Sequence, residues 1–206
     1  MHLARLRLNS GNGQARRDLS NPYETHRSLV RAFVNGEKDI PTRFLWRLQL
    51  DGMWANPEIL VQSVQRGNWS VLENLPGYLA RSTESKEIPL ETWLQERRLY
   101  RFRLRANPTV CRNGKRLGLV GEEAQLEWLQ KQGPRYGFRV GSSLLTASEV
   151  MTASKGGRLV TLRTATYEGV MECLNTELLE SALLQGIGRG KAFGLGLLSL
   201  APVGMK

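Results

Sequence analysis

Residues Gly186–Pro202 read GIGRGKAFGLGLLSLAP, with five glycines in eleven positions around an Arg/Lys pair and an apolar, strand-like segment directly after them. Glycine at this density costs chain entropy, and a fold keeps it where the backbone takes positive φ or lies close against a ligand. Nucleotide-binding loops do not fit the spacing. A P-loop would need glycine at Gln185 and Ser or Thr at Ala192. A dinucleotide GxGxxG would need glycine at Lys191, Phe193 or Ser199, and too little chain follows to build the βαβ unit. What remains is Gly-Ile-Gly, five residues, then Gly-Leu-Gly, on Gly186, Gly188, Gly194 and Gly196. The plain alternative is a helix C-cap running into a glycine-rich turn. The functional reading lets a polyanion backbone approach the glycines while Arg189 and Lys191 meet its phosphates.

Outward from this loop, Leu195–Leu200 reads as a last strand and Thr176–Gln185 as the helix before it. Upstream, Leu99–Arg105 alternates as a strand, Glu122–Gln132 is helical, and Phe138–Leu145 pairs with Leu159–Cys173. Arg112, Lys115 and Arg116 fall in what reads as a loop. The order is βαββαβ, the ferredoxin-like plan. The first half repeats it less clearly. Met1–Leu8 reads as a strand, SGNGQARRDLS as a polar loop, and NPYETHRSLVRAF as a helix with Asn21 at the N-cap and Pro22 in the first turn. Glu24, three residues after the cap, suits a capping box. Phe44–Leu50 and Ile59–Val64 alternate as strands and Trp69–Asn74 suits a short helix, but no last strand stands out. The fold class expected is α+β, with two tandem ferredoxin-like (RRM-like) domains. The first spans 1–84 and carries the Asn21 helix, the polar stretch 85–96 is the linker, and the second spans 97–206 with the glycine loop.

Charge points to a polyanion. Lys plus Arg is 29 against 19 acidic residues, a net charge of +10. The excess is clustered: residues 97–120 carry eight basic and no acidic side chains, and residues 37–96 carry six basic against nine acidic. Such clustering is the footprint of a nucleic-acid surface. A membrane surface is not expected, since no long basic amphipathic helix or spanning apolar run is present. Cys111 and Cys173 have no metal-ligand spacing, and no DxD, HExxH or cluster of carboxylates occurs. No metal and no cofactor is expected, and the location expected is cytoplasmic.

The chain has two histidines, His2 and His26. His2 reads as a residue of the first strand. His26 follows Tyr23 by three, which places phenol and imidazole on one helix face, with Arg27 and Arg31 on a neighbouring one. An imidazole titrates near pH ~6.5 and suits general acid–base work on a phosphodiester. A helix-start histidine packed for structural reasons is the competing reading. For binding, Arg101, Arg103 and Arg105 alternate with apolar residues, so a strand puts all three on one sheet face. Arg16 and Arg17 precede the Asn21 helix, and Lys155 and Arg158 flank a Gly-Gly hairpin turn. Trp93 and Trp128 read as core.

The glycine pattern resembles the loop of the RAMP superfamily, RNA-binding proteins of CRISPR systems. NPYETHR at residue 21, FRLRANP at Phe102–Pro108 and the loop with its LLSLAP ending together resemble the CasE family, with residues 40–96 matching least. The resemblance implies a metal-independent endoribonuclease that cuts CRISPR precursor RNA at the 3′ base of the repeat hairpin. It implies 2′-hydroxyl attack, retention of the mature RNA, and assembly with other Cascade subunits. It places the catalytic histidine on His26 and the active-site tyrosine on Tyr23. Some relatives carry lysine where Arg31 stands; arginine keeps the charge but does not readily give up a proton. The alternatives are a non-catalytic RAMP subunit, which would not need Tyr23 and His26 together, and an RNA-binding protein of ribosomal type, which would not explain FRLRANP with the loop.

Overall fold

The computed structural model describes residues 1–36, 39–49 and 57–204. The elements follow in chain order: β1 (His2–Arg7), α1 (Gly13–Ser20), α2 (Pro22–Val30), β2 (Phe44–Gln49), β3 (Glu58–Ser63), α3 (Ser70–Glu73) and β4 (Glu84–Glu87). After them come α4 (Leu90–Trp93), β5 (Leu99–Ala106), β6 (Thr109–Arg112), β7 (Lys115–Gly118), α5 (Glu122–Gln132), β8 (Phe138–Lys155), β9 (Arg158–Cys173), α6 (Thr176–Gln185) and β10 (Leu198–Pro202). The chain divides into two compact units. Unit 1 is Met1–Ile88 together with Ala153–Val160 and Ala192–Gly194, and unit 2 is Pro89–Thr152, Thr161–Lys191 and Leu195–Lys206.

Both units carry the ferredoxin-like sheet. In unit 1 the strand order is β2-β3-β1-β4, and in unit 2 it is β10-β5-β9-β8. In each, the first strand of the βαββαβ plan lies between the third and the fourth, as that plan requires. The fold class expected from sequence is therefore the one observed. A separate two-stranded ribbon, β6-β7, is inserted between β5 and α5.

Alternation explains the core of unit 1. Ala4, Leu6 and Leu8 are buried with Phe44, Trp46, Ile59 and Val61, while α2 and α3 add Leu29 and Leu72. Arg5 and Arg7 point the other way on β1 and pair with Glu58 of β3 and Glu84 of β4. In unit 2, Tyr100, Phe102, Leu104 and Ala106 form the buried side of β5. Buried aliphatic and aromatic side chains of this kind each contribute ~1.5–3 kcal/mol.

The structure departs from the sequence reading in five places. Residues 13–20 form α1, where a loop was expected; Asn12 caps it, and only Ala15 and Asp18 of the helix are buried. The last strand of the first sheet is β4, ESKE, fully exposed and paired to β1 as His2↔Glu87 through Arg5↔Glu84. It and α4 occupy most of the expected 85–96 linker. Arg112, Lys115 and Arg116 lie on the β6–β7 ribbon rather than in a loop, with Cys111↔Arg116 and Arg112↔Lys115 opposed. Strand β8 runs to Lys155, ten residues beyond the expected end. Leu50, at the end of one expected strand, lies outside the described residues.

Candidate active site

Helix α2 starts where its sequence directs. Asn21 Oδ1 accepts from Tyr23 N at 3.2 Å, and Pro22 takes the first turn. No capping box forms. Glu24 turns to Arg27 instead, at 3.0 Å.

Asn21 has a second role that its position alone did not reveal. Its Nδ2 donates to Ser154 O at 2.9 Å and its Oδ1 accepts from Ser154 N at 3.3 Å, joining residues 133 positions apart. One amide thus fastens the tip of the β8–β9 hairpin to the start of α2 within unit 1. Lys155 Nζ then lies 5.5 Å from the Tyr23 ring centroid, and Phe193 packs against the same ring at 6.2 Å. Asn21→Ala removes the cap and both hairpin bonds. It should lower stability by about 1–2 kcal/mol, or roughly 2–4 °C in Tm per kcal/mol for a chain of this size. Melting of the variant beside the wild type checks this, and an unchanged Tm would mean that water replaces the amide without cost.

His26 sits one turn further on. Its ring stacks on Phe44 at 5.1 Å, and Phe44 stacks on Phe33 at 4.5 Å. His26 Nδ1 is sealed from solvent and has no hydrogen-bond partner, so any proton exchange by this ring falls to Nε2. Burial lowers the imidazole pKa from its ordinary 6.5, and the Lys155 ammonium lowers it further. At neutral pH the ring is therefore uncharged and ready to accept a proton.

A buried carboxyl holds the helix that presents this ring. Asp18 of α1 is 5 % exposed. Its Oδ2 accepts from Ser28 Oγ at 2.6 Å and from Tyr78 OH at 2.7 Å, while Thr25 Oγ1 donates to Asp18 O at 2.6 Å. Burial and the Asp18 carboxyl push the Tyr78 phenol far above its usual range, so it stays a donor. This network ties α1 to α2 from beneath.

The expected binding cations divide between the units. In unit 1, Arg17, Arg27 and Arg31 line a surface concavity of about 540 Å³ beside α2, although Arg27 is paired with Glu24. Arg16 closes its own loop, donating to Ser10 O and Gly11 O at 3.1 and 2.8 Å. Lys155 and Arg158 flank the hairpin tip, both exposed. In unit 2, Arg101, Arg103 and Arg105 do share one face of β5, as the alternation required. Two of them are already engaged: Arg103 with Glu168 at 2.9 Å and Arg105 with Glu149 at 3.0 Å. Those acids come from β9 and β8, far from the acid-free segment in sequence.

In the glycine loop, Gly186, Gly188, Gly194 and Gly196 all have φ between 75 and 89°. Gly186 is also the C-cap of α6, so the plain reading holds at that residue. Gly194 belongs to unit 1, where a Cβ would lie 3.0 Å from the Trp46 ring. Arg189 is exposed, whereas Lys191 bends back to Gly188 O at 2.8 Å and braces the loop. Trp128 is 9 % exposed and stacks on Tyr167 at 6.1 Å, while half-buried Trp93 packs on Tyr100 at 5.3 Å. Cys111 and Cys173 are both free. Among the described residues, no three His, Cys, Asp or Glu side chains are placed to share a metal ion, and no helix is long and apolar enough to cross a membrane.

Comparison with known proteins gives the site its context. The family described as CRISPR associated protein matches residues 1–202. The CRISPR-associated endoribonuclease Cse3 of Thermus thermophilus is 35 % identical over 216 residues, covering 98 % of this chain and 100 % of the relative. The CRISPR system Cascade subunit CasE of Escherichia coli is 31 % identical over 194 residues, covering 88 % of this chain and 92 % of the relative. Among solved structures, Cse3 bound to a 19-nucleotide RNA matches with a TM-score of 0.87 at 33 % identity, covering 98 % of this chain and 100 % of that one. Thermus thermophilus Cse3 bound to an RNA representing a pre-cleavage complex matches with a TM-score of 0.86 at 33 % identity, covering 98 % of each chain. Cas6e of Escherichia coli matches at 0.71 and 27 %, covering 98 % of this chain and 100 % of that one. With the three sequence motifs, the tandem ferredoxin-like sheets and this agreement along the chain, the protein belongs to the CasE family of CRISPR-associated proteins.

Proposed function

We propose that this protein is a metal-independent endoribonuclease that cuts CRISPR precursor RNA at the 3′ base of the repeat hairpin and keeps the mature RNA as a Cascade subunit in the cytoplasm. The observation that carries the reading is His26: a histidine held neutral by burial and by Lys155, with its inner nitrogen sealed and its outer nitrogen left for substrate. The names of the relatives support the same class of activity, since one is an endoribonuclease and another a Cascade subunit.

The chemistry follows from the groups present. His26 Nε2 accepts the proton of the 2′-hydroxyl. The 2′-oxygen attacks the adjacent phosphorus, the P–O5′ bond breaks, and the leaving 5′-oxygen takes a proton, which the imidazolium formed in the first transfer can supply. The products are a 2′,3′-cyclic phosphate and a 5′-hydroxyl. Lys155, fixed over Tyr23, brings positive charge to the phosphorane. Tyr23 provides a ring against which the nucleotide beside the cut can rest. DNA lacks the nucleophile, so the substrate is RNA.

Cleavage of a repeat hairpin should therefore persist in excess EDTA and leave a 2′,3′-cyclic end. A substrate with a 2′-deoxy group 5′ to the cut should bind and not react. Activity that vanishes in chelator and returns with Mg²⁺, or normal cutting of the deoxy substrate, would overturn the mechanism.

A further inference from the structure

Unit 2 carries a groove that the proposed cleavage chemistry does not use. It lies between the β6–β7 ribbon, α5 and the loop after α6, with a volume of about 620 Å³. Four exposed arginines line it, Arg112, Arg116, Arg135 and Arg189. None of the four is paired with a carboxylate among the described residues. Glu127, the carboxylate on the lining, is held by Lys131 at 2.6 Å. The groove therefore presents a net positive wall with its own acid neutralised.

A second, independent feature marks it as a ligand site. Asn107 lines the groove, is 6 % exposed, and has its Oδ1 buried without a hydrogen-bond partner. An unmet buried acceptor costs about 1–3 kcal/mol; Asn107 Oδ1 is sealed as it stands, so a ligand N–H or O–H recovers that cost by turning the amide outward into the groove. Beside it, Gly188 at φ 77° lets the glycine loop close on the groove, and a Cβ there would meet the Trp128 ring at 3.4 Å.

We infer that this groove holds single-stranded RNA flanking the hairpin, with phosphates on the four arginines and a base or ribose donor on Asn107 Oδ1. The inference rests on the RNA-processing reading above and extends it to a second contact surface. The shape favours a single strand. The volume is that of small-ligand sites, ~300–1,000 Å³, which suits a few splayed nucleotides. The charge favours RNA, whose evenly spaced phosphates answer the four arginines in a chain of net charge +10, while a base N–H or ribose hydroxyl supplies a donor for Asn107.

The test uses an uncleavable 2′-deoxy hairpin, bare or extended by eight unpaired nucleotides on its 5′ or its 3′ side. Affinity is measured across salt for wild type and for Arg112→Ala/Arg135→Ala. One extended RNA should bind wild type roughly tenfold more tightly than the bare hairpin. Its salt slope should be steeper by about 0.7 for each added single-strand phosphate contact. The double variant should lose that gain while keeping both its affinity for the bare hairpin and its rate of cutting a cleavable one. The inference is overturned if neither flank adds affinity, if the gain survives in the double variant, or if the variant weakens bare and extended RNA alike. A glutamate-rich peptide that removes the flank's gain better than short oligouridylate would point to a protein occupant and overturn it as well. Wild-type protein that binds no hairpin at all would instead bring down the endoribonuclease reading itself.

Discussion

His26→Ala should lower the rate of hairpin cleavage by ~10²-fold or more, the scale of a lost general acid or base, with hairpin affinity little changed. Tyr23→Phe should cost less, because the ring that packs on Phe193 and lies under Lys155 is retained. The pH dependence carries its own sign. Burial first, and Lys155 second, depress the His26 pKa below 6.5. A general base must be unprotonated, so kcat/KM should rise with pH along an acid limb whose midpoint lies below 6.5, with most of the rise lying below pH 7. Lys155→Gln removes the cation that disfavours protonation, so the His26 titration followed by NMR in the free protein should move up towards 6.5. Matched losses of binding and cleavage in His26→Ala would reassign the ring to the RNA surface. A downward shift in Lys155→Gln would contradict an electrostatic origin in the Lys155 ammonium. Because the ring also stacks on Phe44, thermal melting of each variant separates lost chemistry from lost packing.

Local signals in the sequence carried the parts of the fold that depend on neighbouring residues. Helices α5 and α6 occupy the residues their patterns indicate, and Asn21–Pro22 marks the start of α2. Elements whose stability comes from distant partners left no such trace. Strand β4 has no apolar residue to bury, and its place is set by ladder bonds to β1 and by Arg5 and Arg7 reaching Glu84. Helix α1 owes its inner face to Asp18, a residue that reads as loop until Ser28 and Tyr78 are seen to satisfy it.

The same division runs through the site. Tyr23 and His26 share a helix, so their spacing was informative. What makes His26 chemically distinct comes from Phe44 on another strand and from Lys155 on a hairpin tip, and spacing along one helix cannot reveal either. Electrostatics misled in the opposite direction. Residues 97–120 contain no acid and the alternation puts three arginines on one face of β5, yet Glu149 and Glu168 reach two of them from neighbouring strands. Linear charge counts locate cations; only the sheet shows which remain available to an anion.

Gly196→Ala should be among the most destabilising single changes in the chain, and the reason is space as much as φ. Gly196 sits at φ 89°, and a Cβ there would lie 2.7 Å from Ile187 O. That carbonyl belongs to a backbone fixed on both sides. Ile187 N donates to Gly196 O at 2.9 Å and Gly196 N donates to Arg105 O at 2.7 Å, so the loop cannot open without breaking its own bonds and its bond to β5. Gly156 at the hairpin tip is the control. It also has positive φ, 55°, but nothing lies within 4 Å of the added Cβ. Gly156→Ala should therefore show the conformational cost alone, about 1–2 kcal/mol. Gly196→Ala should add the clash and the lost bonds, for a total of roughly 3–5 kcal/mol. At about 2–4 °C per kcal/mol, the two variants separate clearly in a melting experiment. Equal Tm losses would mean that the loop relaxes around a methyl group. The glycine at 196 would then have to be explained by what approaches the loop rather than by the loop's own closure.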